Sequence, residues 1–99
     1  MAAAANLRVN VGGLAVQSQL EAAAGAHFVA STPARQVMPG AEFIFGLGVA
    51  GPDPLVPETG FVIHDGHTRA PDGPGLGVAV DEDEVRARTL LTESVTASS

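Results

Sequence analysis

The chain has 99 residues, a net charge of −6 and no cysteine. That length holds one small domain. The acidity disfavours phosphate backbones and anionic membrane surfaces as partners, and the missing thiols exclude disulfides, a thiolate nucleophile and a cysteine-built zinc site. All five basic residues are arginines, which excludes a Schiff base, a P-loop lysine or a lysine general base within the chain.

Met1–Asn6 is rich in alanine but lacks the basic region and apolar core of a signal peptide. The longest apolar run, Phe43–Gly51, falls far short of the roughly 20 residues that span a bilayer. These features, with the absent cysteines, lead to the expectation of a cytoplasmic location.

In chain order, Ala2–Ala5 favours helix and Asn6 can stop it. Leu7-Arg8-Val9-Asn10-Val11 alternates apolar and polar residues at the period of a strand, which Gly12-Gly13 breaks. Ser18-Gln19-Leu20-Glu21 reads as a capping box, with the Ser18 hydroxyl accepting from the Glu21 amide. The helix it opens places Leu20, Ala23, Ala24, His27, Phe28 and Ser31 on one face, and the small residues Ala22, Gly25, Ala26 and Ala30 allow close packing elsewhere. Pro33 ends it.

Glu42-Phe43-Ile44-Phe45 reads as a buried strand led by an acid, and the Gly- and Pro-rich residues 46–60 as a connecting loop. Asp65-Gly66, between Phe61-Val62-Ile63-His64 and His67-Thr68-Arg69, is a two-residue hairpin signal. Two prolines and three glycines stiffen and turn Pro71–Gly77. Val78–Val80 then reads as a short strand, and Asp81 as the cap of a helix with Glu84 at its third position. Thr92–Ser99 is a polar tail.

Few residues carry a chemical signal. Gly46-Leu47-Gly48-Val49-Ala50-Gly51 matches the dinucleotide fingerprint in form, but Pro52, Pro54 and Pro57 deny it the helix whose amides would hold a pyrophosphate. His64 and His67 flank the hairpin turn as two candidate metal ligands, with no third ligand marked; an exposed hairpin end is the plainer reading. His27 lies on the apolar stripe and reads as a hydrogen-bonded residue at the core edge, with no triad partner nearby. The four acids Asp81–Glu84 lack the alternating spacing and central glycine of a calcium loop and suit a solvated helix start. Glu42 differs, because an isolated acid at an apolar strand is costly to bury unless something pairs with it.

The segments "NLRVNVGG", "QSQLEAAAGAHFVAS", "PGAEFIFG" and "GFVIHDGHTRAPDGPGLGVAVDEDEV" occur in an order and spacing that resembles the enolase superfamily, in its mandelate racemase and muconate lactonizing enzyme branch. The last segment is the most specific, and the likeness runs over about residues 3–90. The resemblance implies an α/β fold. Residues 1–45 would be the C-terminal end of a TIM-like (β/α)7β barrel: its seventh strand, the following helix and the eighth strand. Residues 46–91 would return as hairpin and helix to the α+β capping domain, with residues 92–99 as tail.

The resemblance also implies a chemistry. Family members abstract a proton next to a carboxylate, a bound Mg²⁺ stabilises the ene-diolate, and Lys or His residues act as bases. Racemisation, loss of water or cycloisomerisation follows. The family's metal ligands and lysine bases lie on strands two to six, which have no counterpart in this sequence, and a whole barrel takes about 250 residues. The chain therefore reads as a fragment of such an enzyme, inactive alone and holding no Mg²⁺ by itself. The rival readings are a module that completes a barrel supplied by another chain, and a standalone small binding protein. Self-association is expected from the open strand edge. Glu42 takes the position of the family's acid on the eighth strand, with a role in orienting a small carboxylate substrate. Some relatives carry a His base on the seventh strand; Leu14–Gln19 has none, and Gln17 and Gln19 are its nearest polar candidates.

Overall fold

A computed structural model describes residues 1–13, 18–40, 42, 53–58 and 63–96. Gln17, the apolar run 43–45, the glycine pattern 46–51 and the Phe61-Val62 arm of the hairpin lie outside the described residues.

The alanine run makes a single turn and closes at once. The Asn6 N–H donates to the Ala3 carbonyl at 3.1 Å and the Leu7 N–H to the Ala2 carbonyl at 2.9 Å. Asn6 sits at φ 57°. This is the left-handed helix stop in which asparagine substitutes for glycine.

Val9 follows in extended backbone. Its N–H donates to the Gln36 carbonyl at 2.7 Å and its carbonyl accepts from the Met38 N–H at 2.9 Å. These two bonds form one parallel bridge between Val9 and Val37. Residues 43–45, part of the segment that reads as the eighth strand, lie outside the described residues; the pairing described for Val9 is with Val37. Val37 is β-branched and extended, at φ −98° and ψ 132°. Pro39, two residues on, has no N–H and adds no ladder bond of its own.

The first helix, α1, spans Gln19–Ala30, with Ser18 as its cap. The Ser18 hydroxyl accepts from the Leu20 N–H at 3.1 Å, one residue before the expected Glu21 amide. Glu21 is exposed and does not complete a capping box. The Asp53 carboxylate does that work instead, accepting from the Gln19 N–H at 2.7 Å and from the Ser18 hydroxyl at 2.8 Å. At the other end, the Ser31 and Thr32 hydroxyls donate to the Phe28 carbonyl at 2.9 and 2.7 Å, and Pro33 ends the helix as expected. A 3₁₀ turn, Ala34–Gln36, leads into the bridge.

The buried face of α1 differs from the expected one. Gln19, Ala22, Ala23, Gly25 and Ala26 are buried, whereas Ala24 is exposed and Phe28 is half-exposed. Small side chains are buried because they admit a close neighbour. Ala22, Ala23 and Ala26 pack against Val11, Val29, Ala70, Leu76 and Val78.

The neighbour on that face is the Pro71–Gly77 loop. Gly77 stands at φ 78°, and a Cβ there would lie 2.5 Å from the Pro71 Cβ and 3.0 Å from that residue's backbone C and O. Only glycine fits so close an approach in that conformation. The loop presents the Leu76 carbonyl to α1, where it accepts from His27 Nε2 at 3.0 Å. Val78–Val80 makes no β-bridge, contrary to the expected strand; Val78 is held by its packing on α1.

The second helix, α2, spans Glu82–Arg88. As expected, Asp81 caps it, its Oδ1 accepting from the Glu84 N–H at 3.1 Å. Arg86 pairs with Glu82 and Asp83, and Arg88 with Glu84. The Asp81 N–H donates to the Leu55 carbonyl at 2.8 Å, which ties α2 to the segment around the buried Val56.

Among the described residues these elements make no sheet and no barrel: two helices and two isolated bridges are present. The accessible surface is 7445 Å². A compact 10 kDa domain exposes about 5,200 Å², and Leu7, Phe28, Met38 and Ile63 are among the exposed large apolar side chains here.

Candidate functional site

The Val9–Val37 bridge fixes a direction. In a parallel pair both segments deliver their C-terminal ends to the same side. Asn10 and Gly12 follow Val9, and Glu42 follows Val37, so all three fall beyond the bridge on that side. There the Asn10 side-chain amide donates to Glu42 Oε1 at 3.3 Å. A Cβ built on Gly12 would lie 3.8 Å from Glu42 Oε2, so the glycine leaves the carboxylate a clear flank. The carboxylate is exposed, and among the described residues Asn10 is its one hydrogen-bond donor. Such a group can accept from, or repel, whatever enters that end of the strand pair.

The other candidates do not gather there. Gln19 is buried as the first residue of α1 and belongs to the Asp53 cap; its Oε1 has no hydrogen-bond partner. His27 is bound to Leu76, as a core-edge histidine should be. His64 and His67 face each other across a hairpin tip, their backbones bonded both ways at 2.7 and 2.9 Å. Asp65 and Gly66, at φ 50° and 72°, give the expected turn. His67 Nδ1 donates to the Asp65 carbonyl at 2.8 Å, and His64 Nε2 stands 3.4 Å from the Asp65 carboxylate. Each ring has one nitrogen in a local contact. No group of three His, Cys, Asp or Glu side chains able to hold a metal ion exists among the described residues. The described residues alone do not supply the three convergent carboxylates that an octahedral Mg²⁺ needs.

Asp53 is the polar group the sequence reading missed. Its carboxylate accepts from the Gln19 N–H, the Ser18 hydroxyl and, at 3.0 Å, the Leu55 N–H. Partial burial pushes its pKa up, but the Gln19, Ser18, Leu55 and Val56 donors outweigh that and hold it below the ordinary carboxylate value. The signal was present as Asp53-Pro54, a dipeptide that starts turns and aims a carboxylate at the amide two residues on. The role is structural, an anion at the positive end of α1.

The family model described as "Enolase C-terminal domain-like" matches residues 1–84. The chain belongs to the enolase superfamily, in its mandelate racemase and muconate lactonizing enzyme branch. The search of curated proteins and the search of solved structures each returned no match. Among the described residues, no helix is long and apolar enough to cross a membrane.

Proposed function

We propose that the chain is the closing segment of a (β/α)7β barrel in an enzyme that abstracts a proton next to a carboxylate, as a dehydratase, racemase or cycloisomerase. The observation that carries this reading is the Glu42 carboxylate beside Gly12, beyond the C-terminal side of a parallel bridge. In barrels of this kind chemistry gathers at that end of the strands. Glu42 would orient the substrate carboxylate through a shared donor or water rather than move the proton. The bases and metal ligands would come from strands that this chain does not supply, so the chain alone would be inactive.

Docking onto a barrel supplied by another chain is favoured over a standalone binding protein by one feature. Leu7, Phe28 and Met38, next to the bridge or on the outer side of α1, are 61%, 50% and 47% exposed. The test is co-expression with the capping domain and first six strands of a family relative, followed by proton exchange at the carbon next to a substrate carboxylate in D₂O. Exchange that needs both chains and falls with Glu42→Gln is the expected result. Exchange by this chain alone, or a complex indifferent to Glu42, would sink the proposal.

A further inference from the structure

Opposite the Glu42 end, before the bridge rather than beyond it, lies a cleft of about 440 Å³ lined by Ala3, Asn6, Leu7, Arg8, Arg35 and Gln36. Three fixed pieces build it. The N-terminal turn closes on Asn6 at φ 57° and supplies one wall. The Val9 N–H to Gln36 carbonyl bond holds the two strand starts together, which places Arg8 next to Gln36. The 3₁₀ turn Ala34–Gln36 carries Arg35.

The charge is unusual for this molecule. The chain carries eleven acids and five arginines, yet no acid lines the cleft. Arg86 and Arg88 are ion-paired along α2. Arg8 and Arg35 have no ion pair among the described residues, and both line the same cleft. Two like charges in one concave site repel each other. An oxyanion between them removes that repulsion and takes charge-assisted bonds from both guanidinium forks. Asn6 and Gln36 add amide donors on the same walls.

We propose that the Arg8–Arg35 cleft binds a small oxyanion, a phosphate or carboxylate group. The site is independent of the Glu42 reading, since it lies at the other end of the strand pair and needs no further strand.

The test is calorimetric titration of the whole chain with inorganic phosphate and, separately, with succinate, at ionic strength matched with sodium chloride. Saturable binding of at least one is expected, weakened about tenfold or more by Arg8→Ala and by Arg35→Ala and unchanged in Arg86→Ala. Phosphate without succinate assigns a phosphate ligand; the reverse assigns a carboxylate. Both arginines are exposed, so circular dichroism of the variants should retain the helical signal and exclude unfolding as the cause. Absence of saturable binding, or equal binding by Arg8→Ala and the unaltered chain, would falsify the proposal.

Discussion

The two faces of this chain are built to different standards. The α1 face is closed: its first turn is bound by Asp53, its middle packs on Leu76 and Val78, and His27 ties it to the Leu76 carbonyl. The Val9–Val37 face is open: among the described residues one bridge holds it, and Leu7 and Met38 beside it are about half exposed or more. The closed face is completed by residues of this chain, from the 53–58 segment and the Pro71–Gly77 loop. Among the described residues, little covers the open face. Parallel pairs are normally covered on both faces, so under the proposed function the open face is where the rest of the barrel would dock.

The sharpest way to break the comparison is Gly77→Ala. The new methyl would meet Pro71 Cβ at 2.5 Å and Pro71 backbone at 3.0 Å, in a conformation that disfavours side chains. Left-handed strain and overpacking together should cost roughly 2–4 kcal/mol. Gly75→Ala is the control: it has a similar φ of 63° but open space around it, and should cost about 1–2 kcal/mol. Urea unfolding of both variants reads the difference; equal losses would mean that the loop does not sit on Pro71 as described.

The next test separates the two faces of α1. Ala23→Leu places a large side chain in a fully buried site and should destabilise by about 1–3 kcal/mol. Phe28→Ser, on a half-exposed position, should change thermal stability by less than about 0.5 kcal/mol in the isolated chain. The reverse ranking would restore the stripe of Leu20, Ala24 and Phe28 as the core. The open face also predicts that the isolated chain self-associates. Size-exclusion elution should shift with protein concentration, and Leu7→Ser with Met38→Ser should abolish the shift; a strictly monomeric unaltered chain would show that the open face needs no partner.

These variants also mark how far the sequence could be read. Local signals translated well wherever the partner was near in the chain: Pro33 stops α1, Asp81 caps α2 at Glu84, and Asp65-Gly66 turns the hairpin. Signals failed where a distant segment intervened. Asp53 displaced Glu21 from the α1 cap, because a carboxylate from across the fold bonds both Ser18 and Gln19. The helix face was misread because hydrophobic size favours Phe28, whereas the loop that covers α1 requires alanines. The family resemblance made 42–45 the strand after α1, and residues 43–45 lie outside the described residues. The bridge at Val37 was not legible, since it follows the 3₁₀ turn at Ala34–Gln36, which the sequence did not mark.

Asp53 gives a pH test of moderate size. Its folded-state pKa is depressed. The stability it contributes is therefore fully present above the unfolded carboxylate value, about 3.9, and is lost as pH falls through the lower folded value. Melting temperature should drop below about pH 4, more steeply in the unaltered chain than in Asp53→Asn. At pH 7, Asp53→Ala should cost about 1 kcal/mol, the usual worth of a helix cap. Matching acid profiles for the two chains would show that other carboxylates govern the acid limb.

The smallest expected effect on stability falls on the residue with the largest proposed role. Glu42 is exposed and bonded to Asn10 at 3.3 Å, a long contact between exposed side chains. Glu42→Gln preserves shape and should shift stability by less than about 0.5 kcal/mol. A structural acid would behave otherwise, because removing one partner of a buried charge costs several times more. Chemical denaturation of the isolated chain and proton exchange in the reconstituted barrel should therefore disagree: no change in the first, a clear loss in the second. A variant that loses stability and exchange together would place Glu42 among the residues that build the barrel, and leave the substrate-facing role without support.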